Sequence, residues 1–285
     1  MKKFFRALLL TLFASVIALS AFAFSACTNK KDENKLYVGM ECGYIPFNYT
    51  QTDGSNGAVK ISNAPGYANG YDVMIAKAIA EELGKELVIM KYEFNSLINA
   101  VQAGTLDFII AGMSPTAERR ESIDFSDAYY ESNLVVVVRE DGEYADATSL
   151  ADFRGATIVA QQGTFHDVAL QEQAADYGIN RGTPMDSFPM MTAALSVGTI
   201  DGYVAEQPGA IADCSSVAGL KYIPLVNNET GFQNISPEDV QLAVGIKKGS
   251  ELTAQVNAAL AEISADERDE MMQRAIELAT GDNVQ

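Results

Sequence analysis

The sequence predicts an α/β fold built from two similar lobes. Three observations carry this expectation. From Lys35 onward, short apolar strand patterns alternate with helical ones, as in largely parallel sheets whose strands are joined by helices. The stretch AVQAGTLDFIIAG (100–112) lines up with ALSVGTIDGYVAE (194–206). Each is a helix end, then Gly-Thr-Leu/Ile-Asp, then a strand. Finally, 285 residues, of which 48% are apolar and 20% charged, are enough for one large domain or two ordinary ones with packed cores.

Taken in order, the chain opens with Lys2, Lys3 and Arg6, an apolar run over 8–24, and Ser25-Ala26-Cys27. A basic start, an apolar centre and small residues at the end make a secretory signal over 1–26. TNKKDENK (28–35) reads as a polar tether. LYVGM (36–40) is a strand. The loop over 51–69, rich in Gly, Asn and Ser, is expected as a surface hairpin or excursion, with a place over a cleft mouth left open. GYDVMIAKAIAEELG (70–84) is a helix, with Asp72 as its cap, Ile75, Ile79 and Leu83 along one face, and Gly84 as its stop. ELVIM (86–90) is a strand. Leu97, Ile98 and Val101 mark a short helix stopped by Gly104. DFIIAG (107–112) is a strand, and LVVVV (134–138) is a strand buried on both faces. ATIVA (156–160), a helix from about Phe165, and DGYVA (201–205) continue the alternation. The helices 251–264 and 266–279 close it.

Charge and cysteine content narrow the function. The net charge of −18 speaks against nucleic acid, because phosphate binding needs a basic surface. Residues 1–26 carry three positive and no negative charges, so without them the chain stands at −21. Cys42 and Cys214 fall in different lobes and are expected as free, buried thiols. No Cys/His cluster has metal-ligand spacing, and His166 is the only histidine. No metal or cofactor is expected.

In open α/β sheets, ligands bind outside the C-terminal ends of the strands, so two facing lobes put Gly112 and Glu206 across one cleft. AGMSPTAERR (111–120) begins a helix, capped either by Ser114 with Pro115 at the first position or by Thr116. Free N–H groups at a helix start attract an anion, and a guanidinium grips a carboxylate bidentately. Arg119 and Arg120 are therefore candidates for a carboxylate. The alternative is that both are solvated and paired with Glu118 or Glu121. QQGTF (161–165) offers the amides of Gly163 and Thr164 at a second strand-to-helix turn, although Gly-Thr alone is usually only a turn. Glu206, at a strand end before Gln-Pro, suits an ammonium group. A ligand with both a carboxylate and an ammonium is an α-amino acid.

GYIPFNYT (43–50), GYDVMIAKAIAEELGK (70–85), LDFIIAGMSPTAERRESIDFSDAYY (106–130), QQGT, IDGYVAEQP and GIKKGSEL (245–252) together resemble the bacterial extracellular solute-binding proteins, family 3, of polar amino-acid ABC transporters. The resemblance spans about 36–276. It implies a two-lobe, periplasmic-binding-protein-like (type II, "Venus flytrap") fold with two hinge crossings, near 129–133 and 239–242. Lobe 1 would be discontinuous, over 35–130 and 243–285, with lobe 2 over 131–242. By motif, Arg119 would hold the α-carboxylate, helped by Ser114 and by the Gly163 and Thr164 amides. The Gly112 carbonyl and Glu206 would hold the α-ammonium. Tyr44 and Phe94 match rings that sandwich the ligand side chain, and Gln161 and Asn48 would line the pocket. Glu41 matches a position that is often Asp in members binding glutamine or basic amino acids. A carboxylate there repels acidic ligands, so a basic or neutral polar amino acid is favoured. Arg120 is expected to be solvated or paired with an acid.

The sequence departs from the family's pattern in three places. Glu206 stands where Asp is common, Trp is absent, and Phe24 stands where the lipobox usually has Leu. The lipobox reading makes Cys27 the lipidated first residue, 27–34 a tether, and the protein extracytoplasmic and membrane-anchored. The implied partners are a free L-amino acid and membrane ABC permease subunits, with the protein itself a monomer. Two rival functions share the scaffold. One is a cyclohexadienyl dehydratase, with Glu206 or Glu41 as general acid or base. The other is an amino-acid sensor that serves no transporter.

Overall fold

The computed structural model describes residues 31–281. The expected signal segment and Cys27 lie outside the described residues. Two five-stranded sheets form the frame. The first has the order Glu86–Lys91, Lys35–Met40, Phe108–Ile109, Gln241–Lys247, Ile123–Glu131. The second has the order Asn180–Arg181, Thr157–Val159, Gly202–Glu206, Leu134–Arg139, Leu220–Ile223. Each supports one lobe.

The sheets are mixed, which corrects the expectation of largely parallel pairing. Lys35–Met40 runs parallel to Phe108–Ile109, and Thr157–Val159 parallel to Gly202–Glu206. Gln241–Lys247 is antiparallel to both its neighbours, and Leu134–Arg139 is antiparallel to both of its own. The cause is the route of the chain. Most strands end at the boundary between the lobes. A strand arriving from the other lobe enters its sheet at that boundary and so must run the opposite way. Leu134–Arg139 follows Ile123–Glu131 after two residues, and Gln241–Lys247 follows the helical turn Pro237–Val240 directly.

Packing follows from burial on both sheet faces. Residues 134–138 are all buried. Val135 and Val137 join the core cluster that continues into the first lobe, while Leu134, Val136 and Val138 join a second cluster with Phe153, Leu170 and Phe232. Alternate side chains of one apolar strand thus serve two cores.

The helix expected over 70–84 spans Tyr71–Glu82, and Gly84 with φ 61° ends it. Asp72 does not cap it. Gly70 stands at the N-cap with no side-chain hydrogen bond. Asp72 is fully buried and accepts from Asn48 Nδ2 (2.7 Å) and the Tyr129 hydroxyl (2.8 Å). It also takes a hydrogen bond from the Gly112 backbone. The apolar helix face faces inward and carries Asp72 with it, so the carboxyl ties the helix to the strand ends instead of to its own first turn. Asn48, expected in the pocket, is spent on this network. The 51–69 loop has structure of its own. Val59–Lys60 and Tyr67–Asn69 pair antiparallel and extend a four-stranded sheet with Asn48–Gln51 and Gly43–Tyr44. Cys42 and Cys214 are both free thiols, the first buried and the second half-buried.

Candidate functional site

Asn48 aside, ten ligand-binding residues are expected from sequence, and eight of them line one cavity between the lobes. Tyr44, Phe94, Gly112, Ser114 and Arg119 come from the first lobe; Gln161, Thr164 and Glu206 come from the second. The other two stand directly behind it, Glu41 bonded to Gln161 and Gly163 bonded to Arg119. None of residues 51–69 lines it.

Arg119 is placed by the short helix Ala117–Ser122. Thr116 is the cap, its Oγ1 accepting from the Arg119 amide at 3.4 Å. The Arg119 side chain is only 9% exposed. Nη1 donates to the Ser114 carbonyl (2.7 Å), Nη2 crosses to the Gly163 carbonyl (2.8 Å), and the guanidinium lies 5.3 Å from the Phe94 ring centre. Burial pulls its pKa down to about 10, which leaves it cationic at neutral pH. Arg120 separates from it as expected, being exposed, but its partner is not an acid. Its Nε donates to the Pro115 carbonyl (2.9 Å) and its guanidinium lies over Phe125. A carbonyl and a ring within reach fix the fork without a second charge.

Across the cavity, Glu206 ends strand Gly202–Glu206 and is 3% exposed. Its Oε1 lies 2.8 Å from His166 Nε2, and its Oε2 accepts from the Tyr44 hydroxyl, which reaches over from the other lobe. Burial pushes Glu206 up to about 8 and pushes His166 down to about 3, with Arg119 adding to the latter. Both directions oppose charge separation and favour a hydrogen bond between uncharged groups over an ion pair. Glu41 is similarly buried, pushed up to about 7, and accepts from Gln161 Nε2 at 3.0 and 2.9 Å.

The two turns into the cavity need their glycines. Gly112 has φ 57°, and a Cβ there would meet the Tyr44 ring at 3.0 Å. Gly163 has φ 74°, and a Cβ would lie 2.0 Å from Asn95 Oδ1 of the facing lobe. Thr164 caps helix Phe165–Tyr177, its Oγ1 accepting from the Asp167 amide (3.4 Å) and donating to the Gln161 carbonyl (2.7 Å).

Sequence reasoning missed His166 and Phe188. His166 sits one turn-step past the Gly163-Thr164 motif, close enough to have been named with it. Phe188 stacks face to face on Tyr44, with ring centres 4.0 Å apart at 11°; nothing in its local sequence separates it from a core residue. Tyr44 therefore has a ring partner in the second lobe, while the Phe94 face takes Arg119. The space left between all these groups is about 10 Å3, room for roughly one water.

One buried cation and two buried carboxyl groups around one cleft can hold a zwitterion with a third polar end once the carboxyls ionise. The profile of the bacterial extracellular solute-binding proteins, family 3, matches residues 36–277. The chain is 29% identical over 255 residues to the arginine-binding extracellular protein ArtP of Bacillus subtilis (strain 168), covering 87% of this chain and 90% of that one. It is 30% identical over 221 residues to a probable histidine-binding protein of Campylobacter jejuni, covering 74% and 76%. It is similar in fold to an amino acid ABC transporter substrate-binding protein from Streptococcus pneumoniae bound to L-arginine, with a TM-score of 0.71, 26% identity, and 86% and 95% of the two chains covered. With the family's profile spanning most of its length and its cleft built at the strand ends of two mixed sheets, the chain belongs to the bacterial extracellular solute-binding proteins, family 3.

Proposed function

We propose that the protein is the extracytoplasmic substrate-binding component of an amino-acid ABC importer, and that its ligand is a basic L-α-amino acid, arginine foremost. The observation that carries this is the placing of Arg119, Glu206 and Glu41 around one cleft. Arg119 takes the α-carboxylate, with Ser114 and the Gly163-Thr164 turn beside it. Glu206 and the Gly112 carbonyl take the α-ammonium, and Glu41 with Gln161 takes the side-chain cation. Gln161 donates to both Glu41 oxygens, and a guanidinium fork that displaces this amide would meet the same two acceptors. The arginine and histidine named for the relatives point the same way.

Binding is reversible and involves no chemistry. Lobe 1 comprises 35–130 and 243–285, lobe 2 comprises 131–242, and they hinge near 129–133 and 239–242. A cavity of about 10 Å3 is far smaller than the roughly 300–1,000 Å3 of small-molecule sites, so entry requires the lobes to part. Parting breaks the Arg119–Gly163, Gln161–Glu41 and Tyr44–Glu206 contacts, and closure is favoured by what the ligand restores. Residues 1–26 act as signal peptide and Cys27 carries a lipid, palmitate among its acyl chains, which anchors a monomer where it docks on the permease.

Isothermal titration against the twenty amino acids, with Arg119→Ala alongside, tests this. L-arginine is expected to bind, and Arg119→Ala to lose about 100-fold or more, as befits two charge-assisted hydrogen bonds. Undiminished affinity in that variant sinks the carboxylate assignment. Incubation with prephenate, followed for an aromatic product, tests for the dehydratase.

A further inference from the structure

Glu206 is buried in the second lobe's half of the cleft, and a buried carboxylate has to be met by hydrogen-bond donors. Among the described residues, two donors reach it. The Tyr44 hydroxyl meets Oε2 from the other lobe, and His166 Nε2 lies 2.8 Å from Oε1. Only His166 belongs to Glu206's own lobe. It sits in the first turn of helix Phe165–Tyr177, just after the Thr164 cap, and is 4% exposed. When the lobes part, Tyr44 leaves with the first lobe and His166 stays.

The ring's other nitrogen decides where the proton sits. Nδ1 is buried and makes no hydrogen bond among the described residues. Left bare, it is an unused acceptor; protonated, it would be an orphaned donor, the rarer and costlier case. Burial, with Arg119 adding to it, pushes the ring down to about 3 and so keeps it from holding both protons. A single proton on Nε2 fits, and it makes the ring a donor to Glu206. The charged and titratable groups facing Glu206 are Tyr44, His166 and, across the cavity, Arg119, while Glu41 is turned to Gln161. On the elements packed against its strand, Asp213 is bonded to Tyr203 (2.5 Å), Asp167 to Arg181 (2.7 Å), and Arg139 lies 3.7 Å from Asp201. Glu172 and Asp176 are exposed.

We propose that His166 is a positioning residue for ammonium recognition, its Nε2–H holding the Glu206 side chain as an aimed carboxylate from within the second lobe. This rests on the reading of Glu206 as the group that meets the α-ammonium. The ring is a donor of fixed direction. It favours the ionised form of Glu206 over the neutral one, because a hydrogen bond to a charged group is about twice as strong as one between neutral groups. Without that donor Glu206 keeps its proton to higher pH, and an ammonium ligand displaces it less readily.

Calorimetric titration of L-arginine from pH 6 to 8.5 tests this on the protein, on His166→Phe and on His166→Gln. The first variant keeps an aromatic ring without a donor; the second keeps a donor that does not titrate. His166→Phe is expected to bind about 10-fold more weakly at pH 6 to 7 but only about 3-fold more weakly at pH 8.5, as for a Glu206 that ionises about one pH unit higher. His166→Gln is expected to stay within about 3-fold of the native protein throughout. A loss in His166→Phe of equal size at every pH, or two variants that behave alike, overturns the proposal. His166 is the chain's only histidine, so its ring gives one set of nitrogen-15 signals, which locates the proton in the unaltered protein. With L-arginine bound at pH 8, Nε2 is expected to carry the proton and Nδ1 to be bare. A proton on Nδ1, or on both nitrogens, overturns the proposal. If L-arginine does not bind, the proposed ligand fails, and the same signals from the unliganded protein above pH 8 still decide the role of His166.

Discussion

Glu206 is the residue on which the ligand chemistry turns. Its carboxyl meets both His166 and the Tyr44 hydroxyl in a fully buried corner, where burial pushes it up to about 8. An ammonium ligand needs the ionised carboxylate. Burial in the closed cleft thus favours a proton on Glu206 that an ammonium ligand must displace below pH 8, and each unit further down weakens binding by up to ~10-fold. L-Arginine affinity is accordingly expected to rise from pH 6 to 8. Titration in buffers of different ionisation heat should register proton release. Glu206→Gln should lose about 100-fold in affinity and, above pH 7, most of the pH dependence. An affinity flat from pH 6 to 8 in the native protein would contradict this role for Glu206.

The elements that matter are two strand-to-helix turns, and these were the most legible part of the sequence. Ser114, Arg119, Gly163 and Thr164 follow strand ends in motifs whose capping residues announce a helix start, so their placement could be read locally. What could not be read was anything set by one lobe meeting the other. The Tyr44–Glu206 bond joins residues 162 apart, and the Gln161–Glu41 bond residues 120 apart; no local periodicity encodes either. Asp72 misled for the same reason, since its long-range partners outcompeted a cap. The second turn offers a test of its own. The Gly163 backbone is left-handed, and a Cβ there would meet the amide oxygen of Asn95, the end of an exposed side chain that can turn aside. Gly163→Ala should therefore cost about 1–2 kcal/mol for the positive φ alone, read as a thermal midpoint of the unliganded chain lowered by a few degrees. An unchanged midpoint would show that this turn is not held left-handed.

At the scale of the whole molecule, the lobes were foreseeable from the internal echo of 100–112 and 194–206, but strand direction was not, because it depends on where the chain crosses between them. The interior also holds acids. In an already acidic chain, Asp72, Glu41, Asp213 and Glu206 are buried, and burial pushes them up to about 6, 7, 7 and 8. A carboxyl held neutral in the folded chain keeps a proton that the unfolded chain has lost. The folded state then binds more protons, and stability falls as pH rises from the usual carboxylate range towards the raised value. His166 acts in the opposite sense. Burial pushes it down to about 3, so its contribution is lost as pH falls from about 6.5 towards 3 and is constant above. Between pH 6.5 and 8 only the carboxyls remain to titrate, and the thermal midpoint of the unliganded protein should fall by several degrees. Glu206 alone accounts for roughly 1–2 kcal/mol of this, or a few degrees for a chain of this size, and Glu206→Gln should shallow the slope by that amount. Repulsion among the surface acids works in the same direction but is screened by salt. Melting curves at low and high ionic strength separate the two, since the slope due to buried carboxyls persists in salt. A midpoint that stays level or rises over this range at high salt would show that these carboxyls are already ionised in the fold.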